Sequence, residues 1–540
     1  MICYQAAALR TISLLALSCS MLLIGNDAIA QGVSTGPELN KSTTRSSYFL
    51  GVANDSSTFV SRIKITGITR LADGSLSVKL LALDSDGNFV PLQNAAPRLT
   101  TKVTCRNQSA ITFTADLESS SSAPKMSGSS AFVAVDNSML AGTLTRDVIL
   151  GLKAAFKSTA TADSLGVGTF NQHLTTLQRV GPIQRTLENI SADDLQRPNG
   201  ISALYAGIIA SARELENGNG TKSLIIVTTA GDNASAVWNS RDVVRHLRDN
   251  NIAAHVIRVG YDMASHPLRY ICSATGGCMY TVEEENVGTI GDIIREILYS
   301  QRWNSILSVQ PGIEEVADCD SPWLRVELSG DSLQQPLADS VLLAPRELQI
   351  ATSPAIVALF DDQTDNGLQQ YYPLLLSISE RLTEDINMKI ELVGHVGSDV
   401  NENADWRALE RAENVKNFLI VNGVLDKQII TRSEGSRKPR YYFQDDGTRR
   451  QLNNRVEAVL ISSEQRPYTV IVDQVSNEDE ATKQRSTWIG RDFQTYYEPV
   501  LDSGQVAYRI VLWGFQSKGL AEAAAAKIKK QFKPRYTIVE

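Results

Sequence analysis

Histidine is scarce in this chain. There are five in 540 residues, at positions 173, 246, 255, 266 and 395. No H-E-x-x-H pair is present, no cysteine–histidine pairing motif, and no serine elbow between a strand and a helix. These absences remove the common signatures of hydrolases and zinc peptidases. Basic clusters are missing as well. The net charge is −8 and the isoelectric point is near 5.4. Phosphate backbones are bound by clustered Lys and Arg, so nucleic acid is excluded as a partner. Beyond the first thirty residues no run reaches the roughly eighteen apolar residues that cross a bilayer. Cysteine is limited to six residues, and aromatic residues make up 6%.

The length predicts three or four domains, each with its own core. Residues 1–30 read as a secretory signal: Arg10, the apolar run "TISLLALSCSMLLIG", then Ala28 and Ala30 at small-residue cleavage positions. The expected location is the periplasm. The alternative is a membrane anchor, by an uncleaved signal or by lipid on Cys19. Four cysteines lie beyond the signal. An even count in an exported chain predicts disulfides. Cys272 and Cys278 flank "SATGG" and are paired, which leaves Cys105 for Cys319. No histidine stands near these four at ligand spacing, so they are not read as a metal site.

The rest divides by pattern. Residues 31–44 are a polar leader. Residues 45–128 alternate apolar and polar residues, with Asp-Gly turns at 73–74 and 86–87, and read as the first part of a β module. Residues 129–302 alternate short apolar runs with helical stretches, which predicts a doubly wound α/β domain. Residues 303–332 return to the β pattern. A Cys105–Cys319 bond would make the α/β domain an insertion in one β module. Residues 333–355 read as a linker, 356–462 as a βαβαβ unit and 467–540 as a βαββαβ unit. The fold class is therefore multidomain, mixed α/β and α+β.

Three of these units resemble known families. Residues 129–302 resemble the von Willebrand factor A family through "FVAVDNSML", "GISALYAGI", "LIIVTTAGDNAS" and "ICSATGGCMYTV". That resemblance implies a protein partner and a divalent-metal site of hard oxygen ligands at the sheet edge. Asp136, Ser138 and Ser202 fall on ligand positions. Leu140 replaces a serine and Ala230 an aspartate, with Asp232 two residues on. The expectation is no cofactor, or at most weak Mg²⁺ at a degenerate site.

Residues 356–462 resemble the OmpA-like peptidoglycan-binding family. The motifs are "GHVGS" for G-H-T-D-S, "ALERAENVKNFL" for L-S-x-x-R-A-x-x-V-x-x-Y-L, and "NNRVEAVL" for N-R-R-V-E. In that family an Asp and an Arg grip the ammonium and carboxylate of diaminopimelate in the stem peptide. Arg is suited to this because its fork meets a carboxylate bidentately. Arg411 matches the Arg. Gly397 stands where the Asp should be, and Asp399 lies two residues on. His395 completes the candidate set, in a structural role. Trp406, Leu409, Ala412, Val415 and Leu419 predict one apolar helix face.

Residues 467–540 resemble the SPOR family, with two echoing halves, "YTVIVDQVSNEDEA" and "YRIVLWGFQSKGLAEA". Family members bind glycan stripped of stem peptides, abundant at the division septum. Aromatic faces and polar side chains suit a sugar ring. Tyr468, Gln474, Tyr508, Arg509 and Trp513 are the candidates. Together the resemblances imply a non-enzymatic envelope protein. It would bind peptidoglycan, both stem peptide and denuded glycan, and present its A-like domain to an unidentified envelope protein. The rival readings are a surface adhesin and a wall-acting enzyme.

Overall fold

The computed structural model describes residues 60–540 apart from 93–98, 105–109, 114, 121–127, 158–162, 193–194, 230–233, 261–265, 310–321, 330–335, 344–353, 362–366, 398–402, 445, 462–467, 492, 494, 503–504 and 516. The signal and leader, Asp399, Cys105, Cys319, Ala230 and Asp232 therefore lie outside the described residues.

Two four-stranded sheets are built from both flanks of the α/β unit. Strand Ser305–Val309 sits between Leu76–Leu83 and Ala115–Ser120, antiparallel to each. Strand Trp323–Leu328 pairs with Leu99–Thr104 on one side and Leu337–Leu342 on the other. The last of these falls inside the stretch read as a linker. Its alternation is weak, but Asp339 turns inward and accepts a hydrogen bond from the Ile65 backbone at 2.7 Å. That bond ties the strand to the neighbouring sheet.

The α/β unit has six strands in the order Met279–Val282, Ile252–Val259, Thr221–Thr228, Ser129–Asp136, Ser164–Phe170, Leu174–Pro182. Five run parallel, and the last is antiparallel. Helices cover both faces, which is why the central strands are mostly apolar and buried on both sides. The edge strand "LTTLQRVGP" is mostly polar and partly exposed, so the apolar pattern does not reveal it.

The third unit orders its strands Ala355–Leu359, Arg455–Ile461, Lys389–His395, Ile429–Gly435. That is one strand more than βαβαβ, with helices Tyr372–Glu384 and Ala404–Val421 and a short helix Gly447–Asn453. The long helix buries Ala408, Arg411, Ala412, Val415 and Leu419. Trp406 and Leu409, expected on that face, are 65% and 37% exposed. At 100° per residue the buried stripe runs through 408, 412, 415 and 419, and Trp406 falls on the other side. The fourth unit is an antiparallel sheet in the order Thr495–Asp502, Gln505–Phe515, Tyr468–Val475, Ile538–Val539. Helices Glu478–Ile489 and Lys518–Phe532 pack on one of its faces.

Candidate functional site

In the third unit, strand Lys389–His395 delivers "HVG" to the sheet edge beneath the long helix. Gly394 lets the two backbones touch, since a Cβ there would stand 1.7 Å from the Ala408 carbonyl oxygen. That contact fixes Arg411 against the strand end. Its guanidinium is fully buried. Nη1 donates to the His395 carbonyl at 3.2 Å and to Asn454 Oδ1 at 2.8 Å. Nη2 donates to the Asp361 carbonyl at 3.2 Å, and the group lies 5.2 Å from the Phe360 ring. Asn454 Oδ1 also accepts the Gly397 N–H at 3.0 Å. One buried amide oxygen thus holds both the family's Arg and the glycine that replaces its Asp. Asn454 occupies the first Arg position of the N-R-R-V-E motif, and this role was not read from the sequence.

Gln444 fills the space beside Gly397. Its Oε1 lies 2.6 Å from where a Cβ would be. The loop is held there by Asn453, whose Oδ1 accepts the N–H groups of Arg440 and Tyr441 at 2.7 and 2.9 Å. His395 is buried, with Nε2 3.4 Å from Glu457 Oε2. Burial alone would raise the Glu457 carboxyl. The His395 contact and the Arg455 charge, 2.7 Å away, outweigh it and hold the carboxyl down to about 2. Neither His395 ring nitrogen has a hydrogen-bond partner among the described residues, and Glu457 is partly exposed.

The five candidates of the fourth unit fall on two faces. Tyr468 and Tyr508 pack with Val470, Val472, Ile510 and Leu512 on the helix side, and Tyr508 makes an edge contact with Tyr497 at 5.9 Å. Gln474 and Arg509 are cross-strand partners; Arg509 Nε reaches Gln474 Oε1 at 3.4 Å, and Gln474 Nε2 donates to Asp502 at 2.7 Å. Trp513 is only 4% exposed. It clusters with Ile471, Tyr496 and Val511 against Ile430 and Ile461 of the third unit. Tyr496 and its cross-unit neighbour Lys389 were missed. The signal was there: "VIV" and "IVLW" are unbroken apolar runs, which mark strands covered on both faces.

In the α/β unit, Asp136 is fully buried at a strand end. Its Oδ1 accepts the Ser138 N–H at 2.9 Å; its Oδ2 accepts the Ser202 and Thr228 hydroxyls at 3.0 and 2.9 Å. Burial raises its carboxyl against these hydrogen bonds. The Ser138 hydroxyl is buried with no partner among the described residues. One carboxylate, already hydrogen-bonded by two hydroxyls, is a poor fit to a hard divalent ion. Among the described residues no cluster of three or more acidic, His or Cys side chains could hold a metal. The same edge is covered: Ile201, Ala203 and Ala234 share one core cluster with Tyr371 and Leu375 of the third unit.

The family model of the OmpA family matches residues 359–455, and that of the SPOR domain matches residues 464–536. The C-terminal region carries an OmpA-like domain and a SPOR domain. No curated protein matches the chain. Among solved structures, the peptidoglycan-associated lipoprotein from Burkholderia pseudomallei is 26% identical, covering 19% of this chain and 88% of that one at a TM-score of 0.19. The periplasmic domain of Helicobacter pylori MotB is 19% identical, covering 31% and 91% at 0.18. BatB from Bacteroides thetaiotaomicron is 15% identical, covering 32% and 98% at 0.25.

The OmpA-like domain thus contributes Arg411, Asn454, Gly397 and Gln444 to one spot. The SPOR domain contributes Gln474, Arg509 and Trp513 to one face. The expected Cys272–Cys278 bond is not formed, and both are free, buried thiols. Cys272 faces the core layer under helix His266–Thr275, whereas Cys278 faces the opposite layer. The glycines between them serve packing. Gly276 takes φ of 82°, ending the helix, and a Cβ on Gly277 would lie 1.9 Å from the Ala254 carbonyl oxygen. Burial pushes the Cys272 thiol up to about 12 and raises the Cys278 thiol well above its ordinary range. Both thiols are expected to resist maleimide in the native protein and to react fully in denaturant without reductant. A requirement for reductant, seen by peptide mass mapping, would reinstate the disulfide.

Proposed function

We propose that this chain is a non-catalytic protein of the cell envelope, held on peptidoglycan by its OmpA-like and SPOR domains. Its A-like domain serves an envelope protein partner, and its workplace is the periplasm, at the division septum. The observation that carries this reading is the pair of adjoining family matches, 359–455 and 464–536. Two modest sites on one lattice hold strongly through effective concentration. No described helix is long and apolar enough to cross a membrane.

The deciding experiment is co-sedimentation of the full chain with purified sacculi, intact and amidase-stripped. The protein is expected in the pellet; a protein that stays in the supernatant with both overturns the reading. The septal part predicts a midcell band from a fluorescent fusion, and an even peripheral signal would count against it.

Gly397→Asp tests the stem-peptide site. The new Cβ meets only the far end of Gln444, a flexible side chain that can turn aside. A carboxylate placed there restores a charge-assisted hydrogen bond of about 1.5–3 kcal/mol, which is about ten- to a hundredfold in affinity. Titration calorimetry with a soluble diaminopimelate muropeptide should show that gain. Unchanged affinity would mean that Asp399 already supplies the acid or that the site is unused.

A further inference from the structure

The SPOR sheet is apolar on both faces. Its own helices cover one of them. The OmpA-like domain covers the other, where Ile430 and Ile461 meet Ile471, Tyr496, Val511 and Trp513. The dock has two polar keys. Lys389, at the start of an OmpA-like strand, places Nζ 3.3 Å from the Tyr496 ring centroid and 5.1 Å from that of Trp513. Arg485 of the SPOR domain donates to Thr431 Oγ1 at 3.4 Å.

The dock leaves one donor unserved. The Trp513 Nε1–H is buried and finds no acceptor among the described residues. A ligand with both an apolar face and a hydroxyl rim would serve that indole better, giving its ring a face and its N–H an oxygen. A sugar ring has this form. The polar end of the same face, Gln474 and Arg509, lies outside the apolar cluster and is only partly buried. A glycan strand can therefore engage that end before the dock opens.

We infer that the OmpA-like domain and a glycan strand compete for one SPOR surface, Tyr496 and Trp513, with Lys389 as the residue that keeps the dock closed. While docked, the chain holds the wall through its OmpA-like domain alone. On denuded glycan the two domains part, and the SPOR face is freed. This rests on the wall-binding reading above.

The test is the full chain carrying Lys389→Glu. The substitution sets a carboxylate against the electron-rich faces of two rings and near Glu498, whose charge already acts on this position. Lys389→Met, which keeps the apolar stem, is the conservative control. Hydrogen exchange across Lys389–His395 and Gln505–Phe515 reports whether the dock has opened. Lys389→Glu should open it and raise binding to amidase-stripped sacculi at least about tenfold. Lys389→Met, which loses the cation and keeps the stem, should raise that binding by less than Lys389→Glu does, and adding Trp513→Ala to Lys389→Glu should erase the gain; wild-type binding by Lys389→Met would overturn the part of the cation. An open dock with no gain on stripped sacculi overturns the competition. A dock that stays closed in Lys389→Glu overturns the role of Lys389. Binding of all variants to intact sacculi separates these outcomes from failure of the wall-binding reading itself.

Discussion

Arg411→Ala is expected to lower the stability of the OmpA-like domain by about 3–5 kcal/mol, before any ligand is considered. The side chain is among the largest fully buried ones described. Its removal leaves a cavity beside Phe360. It also strips donors from the His395 carbonyl, the Asp361 carbonyl and Asn454 Oδ1. Arg411→Met separates the two costs. It fills most of the volume and removes the donor from the His395 and Asp361 carbonyls, while Asn454 Oδ1 keeps the Gly397 N–H, so about 1–3 kcal/mol should be lost. Chemical denaturation of the two variants measures the difference. An Arg411→Ala loss under about 1 kcal/mol would mean that water reaches these acceptors and the site is more open than described. A drop in wall binding by Arg411→Ala therefore does not by itself report ligand contact. Arg411→Lys, which keeps a cation without the fork, is the cleaner probe.

Gly394→Ala should be more damaging, at about 4 kcal/mol or beyond. A Cβ there would lie 1.7 Å from the Ala408 carbonyl oxygen and 2.5 Å from its carbon. Both obstacles are backbone, so no rotamer relieves them. The helix Ala404–Val421 would have to lift from the sheet, carrying Arg411 with it. Gly397→Ala, three residues on, meets only the end of Gln444 and should cost under about 1 kcal/mol. Comparing the urea midpoints of the two variants checks the contrast. Equal midpoints would show that the helix does not sit where it is placed here.

These two glycines also show what was legible. Both stand in "GHVGS"; the motif marks Gly397 as the replaced Asp but does not disclose that Gly394 is where helix and strand backbones touch. The C-terminal domains were readable because several motifs recur in fixed order, and because strand and helix periods alternate cleanly. On the long helix Ala412, Val415 and Leu419 face the core as expected, and only Trp406 and Leu409 were misplaced, for a physical reason. Trp406 and Leu409 fit a three- or four-residue spacing, yet the first turns of the helix bury Ala408, Arg411 and Ala412 instead. A buried guanidinium does not register in a pattern built on apolar residues. The roles of Asn454 and Gln444 depend on loops meeting across 57 and 47 positions from Gly397, which spacing alone does not disclose. The Cys272–Cys278 expectation failed because closeness in sequence says nothing about which side of a sheet a thiol faces.

The shared core of Ile201, Ala203 and Ala234 with Tyr371 and Leu375 bears on how the molecule can be cut. The boundary near residue 355 looks like a clean joint when read as sequence. A fragment ending there would carry a wet apolar patch at the sheet edge of the α/β unit, beside Asp136 and Ser202. Such a fragment used as bait would collect whatever prefers oil to water. A chain stopped before Pro467 would have the same defect at Ile430 and Ile461. Deletion series on this protein should therefore be read against point variants that leave both seams shut.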